Sequence, residues 1–315
     1  MDKKKYLIRI LYSFILAIIV TLAICILTIN FRKSAYSESY QSVIRDKYEL
    51  LVNTESPKIV IVGGSNACFG IDNKMLSEKT GYPVVNLALH AGFGALFNTE
   101  ISKANIMPGD IVLVAYEYGW PEPSYFDDFG VDLIMTGIGN EYDIYKYVPI
   151  NKYPALIGYI PEYAKGKANY RPETGTYSRE SFDEDANCIF YRDSEEKMLD
   201  YDPITWVGID LTDVKISDES VKHITEYKEY VESRGASIYM IGCPIYDRAI
   251  INEYAEFDNL VNEEESRIGI DYISNPLEYI FGYDYIFDTM YHCNSMGQQK
   301  RTELLINDML KAGII

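Results

Sequence analysis

Any acid–base chemistry in this chain has few places to hide, because only three histidines are present: His90, His223 and His292. A serine nucleophile needs an adjacent base, and that base needs an orienting acceptor on its second ring nitrogen. His292 lies in Phe287-Asp-Thr-Met-Tyr-His-Cys-Asn-Ser-Met-Gly297, with Asp288 four residues ahead of it. The matching nucleophile is Ser65, in Ile59-Val-Ile-Val-Gly-Gly-Ser-Asn-Ala-Cys-Phe-Gly70. There an apolar β-branched run ends in two glycines and then the serine. The glycines permit a sharp turn at a strand's carboxyl end. A serine so placed faces the crevice where open α/β sheets hold ligands. Serine, histidine and aspartate together could perform acyl transfer through an acyl-serine. The turn is not a phosphate-binding loop, because the GxxxxGK[ST] arrangement is absent. The plainer reading of the same residues is a helix-capping serine, a backbone-bonded histidine and a turn carboxylate.

The elements that must position these residues follow from the hydrophobic pattern. Short buried strands are expected at Lys58–Val62, Val84–Ala88, Ile111–Tyr116 and Ser237–Gly242, with a fifth at Ile270–Ile273. Helices are expected between them. One runs over Ile71–Thr80, capped by Asp72 and stopped by Gly81, and another over Ala95–Ala104. Others are a helix capped by Ser217 and ending before Gly235, one near Ile250–Ser266, and a terminal helix over Asn294–Lys311. This alternation predicts an α/β domain with a parallel sheet covered on both faces. Between Trp120 and Thr212 the alternation fails, and an irregular inserted subdomain is expected.

Taken together, these segments resemble the SGNH (GDSL-like) esterase superfamily. Its signature is a serine after the first strand, a glycine after the second, an asparagine after the third and Asp-x-x-His near the C-terminus. The matching residues are Ser65 in Gly-Gly-Ser-Asn, Gly92 in Asn86-Leu-Ala-Leu-His-Ala-Gly92, and His292 with Asp288. The resemblance implies a three-layer α/β/α sandwich of the SGNH/flavodoxin-like kind. It also implies an oxyanion hole from the backbone N–H groups of Ser65 and Gly92. Two departures stand out. After the third strand the chain reads Ala115-Tyr-Glu-Tyr-Gly119, with no asparagine, and Asp288 precedes His292 by one residue more than the signature. Asn66 or Asn98 are candidate replacement donors, and Glu117 either lines the cleft or only ends the strand. His90 reads as a structural neighbour of Gly92, His223 as solvent-facing, and Trp120 as a cleft-mouth aromatic.

Ile10 to Phe31 carries no charged side chain, which is enough to cross a bilayer as a helix. Lys3, Lys4, Lys5 and Arg9 precede it, so the amino terminus is expected in the cytoplasm and the domain outside. The expected organisation is an anchor over 1–33, a helical stalk over 34–57 and a catalytic domain over 58–315, with the insertion at about 120–212. The anchor holds six basic residues and one acidic one, which leaves 23 basic against 46 acidic residues and a charge of −23 beyond it. That balance disfavours nucleic acid and anionic lipid as partners. Cys68 and Cys243 read as buried thiols, with one or two disulfides open to the scattered cysteines. There is no metal-ligand spacing and no nucleotide motif, so no cofactor is expected.

Anchor and domain together look like the membrane-anchored members of the superfamily that accompany teichoic acid D-alanylation or polysaccharide O-acetylation. That resemblance implies an extracellular polysaccharide or teichoic polymer as acceptor and a multi-pass membrane acyltransferase as partner. Three readings remain open: an O-acyltransferase, an esterase of the same polymers, and an inactive glycan-binding or scaffold protein.

Overall fold

The computed structural model describes residues 3–32, 34–118, 130–189, 209–210, 216–251, 253 and 255–315. In chain order the elements are α1 (Lys3–Asn30), α2 (Val43–Asn53), β1 (Ile59–Gly63), α3 (Ser65–Gly70), α4 (Asn73–Thr80), β2 (Val84–Asn86), α5 (Ala95–Ser102) and β3 (Ile111–Ala115). Next come α6 (Val131–Ile138), α7 (Tyr142–Tyr145), α8 (Tyr153–Asn169), α9 (Asp218–Ser233) and β4 (Ser237–Met240). The chain ends with β5 (Ile245–Tyr246), α10 (Ala255–Ile268), β6 (Ile280–Phe281) and α11 (Ser295–Lys311). Helix α1 is long and apolar enough to cross a membrane.

The protein is an α/β fold around a parallel four-stranded sheet in the order β2-β1-β3-β4. Both β1 and β3 are buried along their whole length. Alternate residues serve opposite faces because strand side chains have a period of two. Val60, Val62, Val112, Val114 and Met240 join one core with residues of α2, α5, α6 and α9. Ile59, Ile61, Ile111 and Leu113 join a second with α4 and α11. At the amino ends of β1 and β3, Lys58 Nζ and Asp110 Oδ2 form a fully buried ion pair at 2.9 Å. The backbone N–H groups of Lys58 and Met107 also donate to that carboxylate, so the buried charge is fully partnered. This pins the end of the sheet opposite Ser65.

The helix punctuation follows the expected chemistry. Asp72 accepts from Met75 N, Ser217 from Ser220 N and Asn294 from Gly297 N, each capping its helix. Gly81 takes the left-handed conformation (φ 77°) that ends α4. The expected fifth strand is reduced to one parallel bridge between Met240 and Tyr272. A separate two-stranded parallel pair, β5 with β6, was not anticipated.

Two expectations need correction. Residues 34–57 are not a free stalk. Val43, Ile44 and Leu51 of α2 are fully buried in the first core. Lys47, buried beside them, donates to the carbonyls of Asn86 (2.7 Å) and Ala186 (3.1 Å). Apolar residues one and two turns apart make α2 amphipathic, which its polar composition hides. The described part of the insertion is not irregular either, since α6, α7 and α8 supply much of it. Pro154 falls in the first turn of α8, where a missing N–H is harmless. The proline therefore opens a helix and does not interrupt one.

Candidate active site

In the order β2-β1-β3-β4 the chain leaves β1 toward one side of the sheet and β3 toward the other. The crevice between their carboxyl ends is thus the topological switch point, where such sheets bind ligands. Ser65 opens α3 at that point, and Glu117 follows β3. Close approach explains the two glycines. A Cβ on Gly63 would stand 2.2 Å from the Ala115 carbonyl oxygen, and one on Gly64 would stand 2.3 Å from Glu117 Oε1. Any larger residue would push β1 from β3 or expel the carboxylate.

His292 is held by a compact loop before α11. Phe287 N donates to His292 O (2.8 Å), and Ile286 and Cys293 form an antiparallel bridge. Only Asp288 to Tyr291 remain at the tip. Thr289 Oγ1 accepts from the N–H groups of Tyr291 (3.3 Å) and His292 (3.2 Å), which closes the tip on itself. The extra residue between acid and base is absorbed there. Asp288 Oδ1 lies 2.7 Å from His292 Nδ1. A carboxylate only accepts, so Nδ1 carries the proton and Nε2 presents its lone pair. The Tyr177 hydroxyl donates to Asp288 Oδ2 and lies 3.3 Å from Nδ1. Burial raises the Asp288 carboxyl, but the hydrogen bond and charge of His292 and the Tyr177 hydroxyl outweigh it, holding it below the usual carboxylate range. Burial and the same carboxylate push the Tyr177 phenol up, so it stays a donor.

The His292 ring stacks on Phe69, with centroids 4.4 Å apart and planes 12° apart. Phe69 is four residues after Ser65, on the same face of α3 and one turn below it. Ser65 is partly buried, and among the described residues its hydroxyl makes no hydrogen bond. Ser65 and His292 therefore share Phe69 as a neighbour and are not bonded to each other here. Catalytic hydrogen bonds commonly tighten only when substrate is bound.

The expected oxyanion donors are arranged differently. Gly92 N–H donates to His90 Nδ1 (2.9 Å) and so is already engaged. Asn66 is fully buried. Its Nδ2 donates to Ala115 O (2.9 Å) and its Oδ1 accepts from Arg301 (2.9 Å), so its amide fastens the turn and does not enter the cleft. Asn98 Nδ2 donates to Gly63 O (3.2 Å) and is likewise structural. Glu117 does more than end a strand. Its carboxylate lies against Gly64 and accepts from Asn66 N (3.3 Å), placing it beside the Ser65 turn. His90 accepts at Nδ1, so its Nε2 carries a proton and can donate. Burial and the nearby His292 lower its pKa, against the opposing pull of Glu117 and Asp132, and this favours the neutral ring.

Two site residues escaped the sequence reading. Tyr177 comes from the insertion and has no local motif. Arg301, fully buried on α11, donates to Asn66 O (2.7 Å), Asn66 Oδ1 (2.9 Å) and Gly242 O (2.9 Å). Its signal was a polar pair, Gln298 and Arg301, on the same buried stripe as Leu305 and Met309. His223 is not solvent-facing. It is largely buried, 2.7 Å from Thr99 Oγ1, and burial lowers its pKa to about 4. Trp120 lies outside the described residues. Cys68, Cys188, Cys243 and Cys293 are buried free thiols. No group of His, Cys, Asp or Glu among the described residues is arranged to hold a metal ion. The chain matches no family model and shows no significant similarity to a curated protein.

Proposed function

We propose that this protein is a membrane-anchored serine acyl-ester enzyme. Its domain is read as an SGNH-type three-layer α/β/α sandwich on the extracytoplasmic side, with the amino terminus in the cytoplasm. The observation that carries the reading is the Asp288–His292 pair at 2.7 Å, its Nε2 unshared among the described residues, on a ring stacked on Phe69, one turn from Ser65. In the cycle, Ser65 Oγ attacks an ester carbonyl and its proton passes to His292 Nε2. Asp288 stabilises the imidazolium that forms. The tetrahedral intermediate collapses as the leaving alkoxide takes that proton, which leaves an acyl-serine. An acceptor hydroxyl then gives its proton to Nε2 and attacks the acyl carbon, and Ser65 Oγ leaves with that proton, which restores the free serine and the neutral imidazole.

The backbone N–H of Ser65 and the Nε2–H of His90 are the donors assigned to the oxyanion. His90 thus stands in for the missing asparagine, and removal of one such donor typically costs about 2.7–4 kcal/mol of barrier. The reaction is read as O-acyl, foremost acetyl, transfer to an extracellular polysaccharide or teichoic polymer. A multi-pass membrane acyltransferase would supply the acyl group. Hydrolysis of the same esters differs only in the acceptor, since water replaces the hydroxyl. A second reading, an inactive glycan-binding or scaffold protein, is favoured by one observation. The Glu117 carboxylate beside the turn opposes a developing oxyanion.

A fluorophosphonate probe on the detergent-solubilised full chain tests the assignment. Labelling at Ser65 is expected, with loss in Ser65→Ala and His292→Ala. Labelling that survives His292→Ala, or none in the wild type, refutes the catalytic reading and leaves the binding one. An activated ester with and without a glycan acceptor then separates transfer from hydrolysis.

A further inference from the structure

Helix α1 does not end free of the domain. Lys167 Nζ donates to Ile29 O (2.6 Å), and Arg32 donates to Ala168 O (3.1 Å), so the end of α8 is fastened to the end of α1. Below that clasp, Leu22, Cys25 and Ile26 of α1 form one wall of a groove of about 230 Å³. Tyr145, Leu156 and Ile160 line the other wall. At 1.5 Å per residue, Leu22 stands roughly 18 Å beyond Ile10 and Ile29 roughly 28 Å beyond it. In a hydrocarbon core about 30 Å thick, this wall lies in the leaflet nearer the domain. The solvent at the groove's mouth is therefore lipid.

Exposure along the same segment agrees. Ile150, just ahead of α8, is 88 % exposed and Ile157, which lines the groove, is 42 % exposed, both large apolar side chains. Six tyrosines fall between residues 142 and 163, the residue type that collects at membrane interfaces. The charge is relieved locally as well. Residues 142–163 carry Lys146 and Lys152 against Asp143 and Glu162, with Lys165 and Lys167 just beyond, in a chain whose net charge is −18. An apolar face with flanking lysines suits the boundary between headgroups and acyl chains.

We propose that residues 142–163 form a lipid-binding interfacial element: α8 lies at the surface of the leaflet on the domain's side, and the α1–α8 groove holds one acyl chain of a membrane phospholipid. The inference rests on α1 spanning a bilayer. It would fix the domain's tilt toward the membrane, so the crevice at Ser65 keeps one orientation to the lipid surface.

The test uses the full chain, one copy per nanodisc, in phosphatidylcholine bearing a photoactivatable diazirine on its acyl chain, with adducts mapped by peptide mass spectrometry. Adducts are expected on α1 and on Met135, Leu156 or Ile157. Ile157→Trp, at a partly exposed position that lines the groove, should cut the groove adducts at least five-fold while those at Leu16 persist. Adducts on α1 alone, or groove adducts indifferent to Ile157→Trp, overturn the inference and leave the anchor intact. Adducts on neither element overturn the anchor reading itself. Groove adducts that vanish in discs holding two copies make the groove a contact between copies, which also overturns the lipid assignment.

Discussion

Arg301→Met is the sharpest test of how the Ser65 turn is held. The guanidinium is fully buried, makes no ion pair among the described residues, and gives three hydrogen bonds to Asn66 O, Asn66 Oδ1 and Gly242 O. Methionine fills most of the volume and removes all three donors. Each buried acceptor left unpaired costs about 1–3 kcal/mol. Relief from burying a charge offsets several kcal/mol of that total. The net loss should be about 2–4 kcal/mol. With a urea slope near 3 kcal/mol per molar, the unfolding midpoint falls by about 1 M. Two of the three bonds end on Asn66, so the turn loosens even while the domain stays folded. Fluorophosphonate labelling of Ser65 in buffer should then slow about ten-fold or more. Gln299→Ala, at an exposed position on the same helix, is the control and should change neither reading. A midpoint within about 0.2 M of wild type, with unchanged labelling, would refute the claim that α11 fastens the turn.

Two further outcomes are expected. Tyr177→Phe keeps the rings that pack on Tyr40 and Phe69 and removes only the donor to Asp288. Tyr177 is 37 % exposed, so water screens part of the loss. The low end of a charged hydrogen bond, about 1.5 kcal/mol, gives roughly ten-fold slower labelling with little change in melting temperature; a rate equal to wild type would remove Tyr177 from the site. His223 has a folded pKa of about 4, against 6.5 for a free imidazole. The unfolded chain binds the extra proton first. Stability is therefore full above pH 6.5 and is lost as pH falls toward 4, by about 2 kcal/mol at pH 5. His223→Gln should flatten that decline in urea midpoints measured at pH 7 and 5, and an equally steep decline would point to another group.

The sheet was legible because β1 and β3 are buried on both faces and read as unbroken apolar runs. The caps at Asp72 and Ser217 were legible because capping is a local bond between residues three apart. The pairing of Asp288 with His292 was legible in residue type, although only the Thr289 turn accounts for the spacing. What could not be read depends on distant partners. An asparagine beside a nucleophile looks like an oxyanion donor until Arg301 and Ala115, far away in sequence, are seen to occupy it. Gly92 looks like a free N–H until the His90 ring turns back onto it. His223 looks exposed until Thr99 of α5 covers it. The helices of the insertion were obscured by Pro149, Pro154 and Pro161, which punctuate a segment that is helical over Tyr153–Asn169.

Helix α11 also bears on when the site exists during synthesis. Its Asn294 side chain donates to Asp284 O (2.8 Å), Gln298 donates to Ile71 O (3.1 Å) and Cys188 O (3.2 Å), and Arg301 reaches Asn66. The histidine loop, the insertion and the serine turn therefore converge on α11, which follows all three in the chain. A growing chain can pair β1, β2 and β3 before that helix emerges. The serine turn then forms ahead of the helix that fastens it to the histidine loop, and a chain clipped within α11 would keep its sheet while losing that fastening.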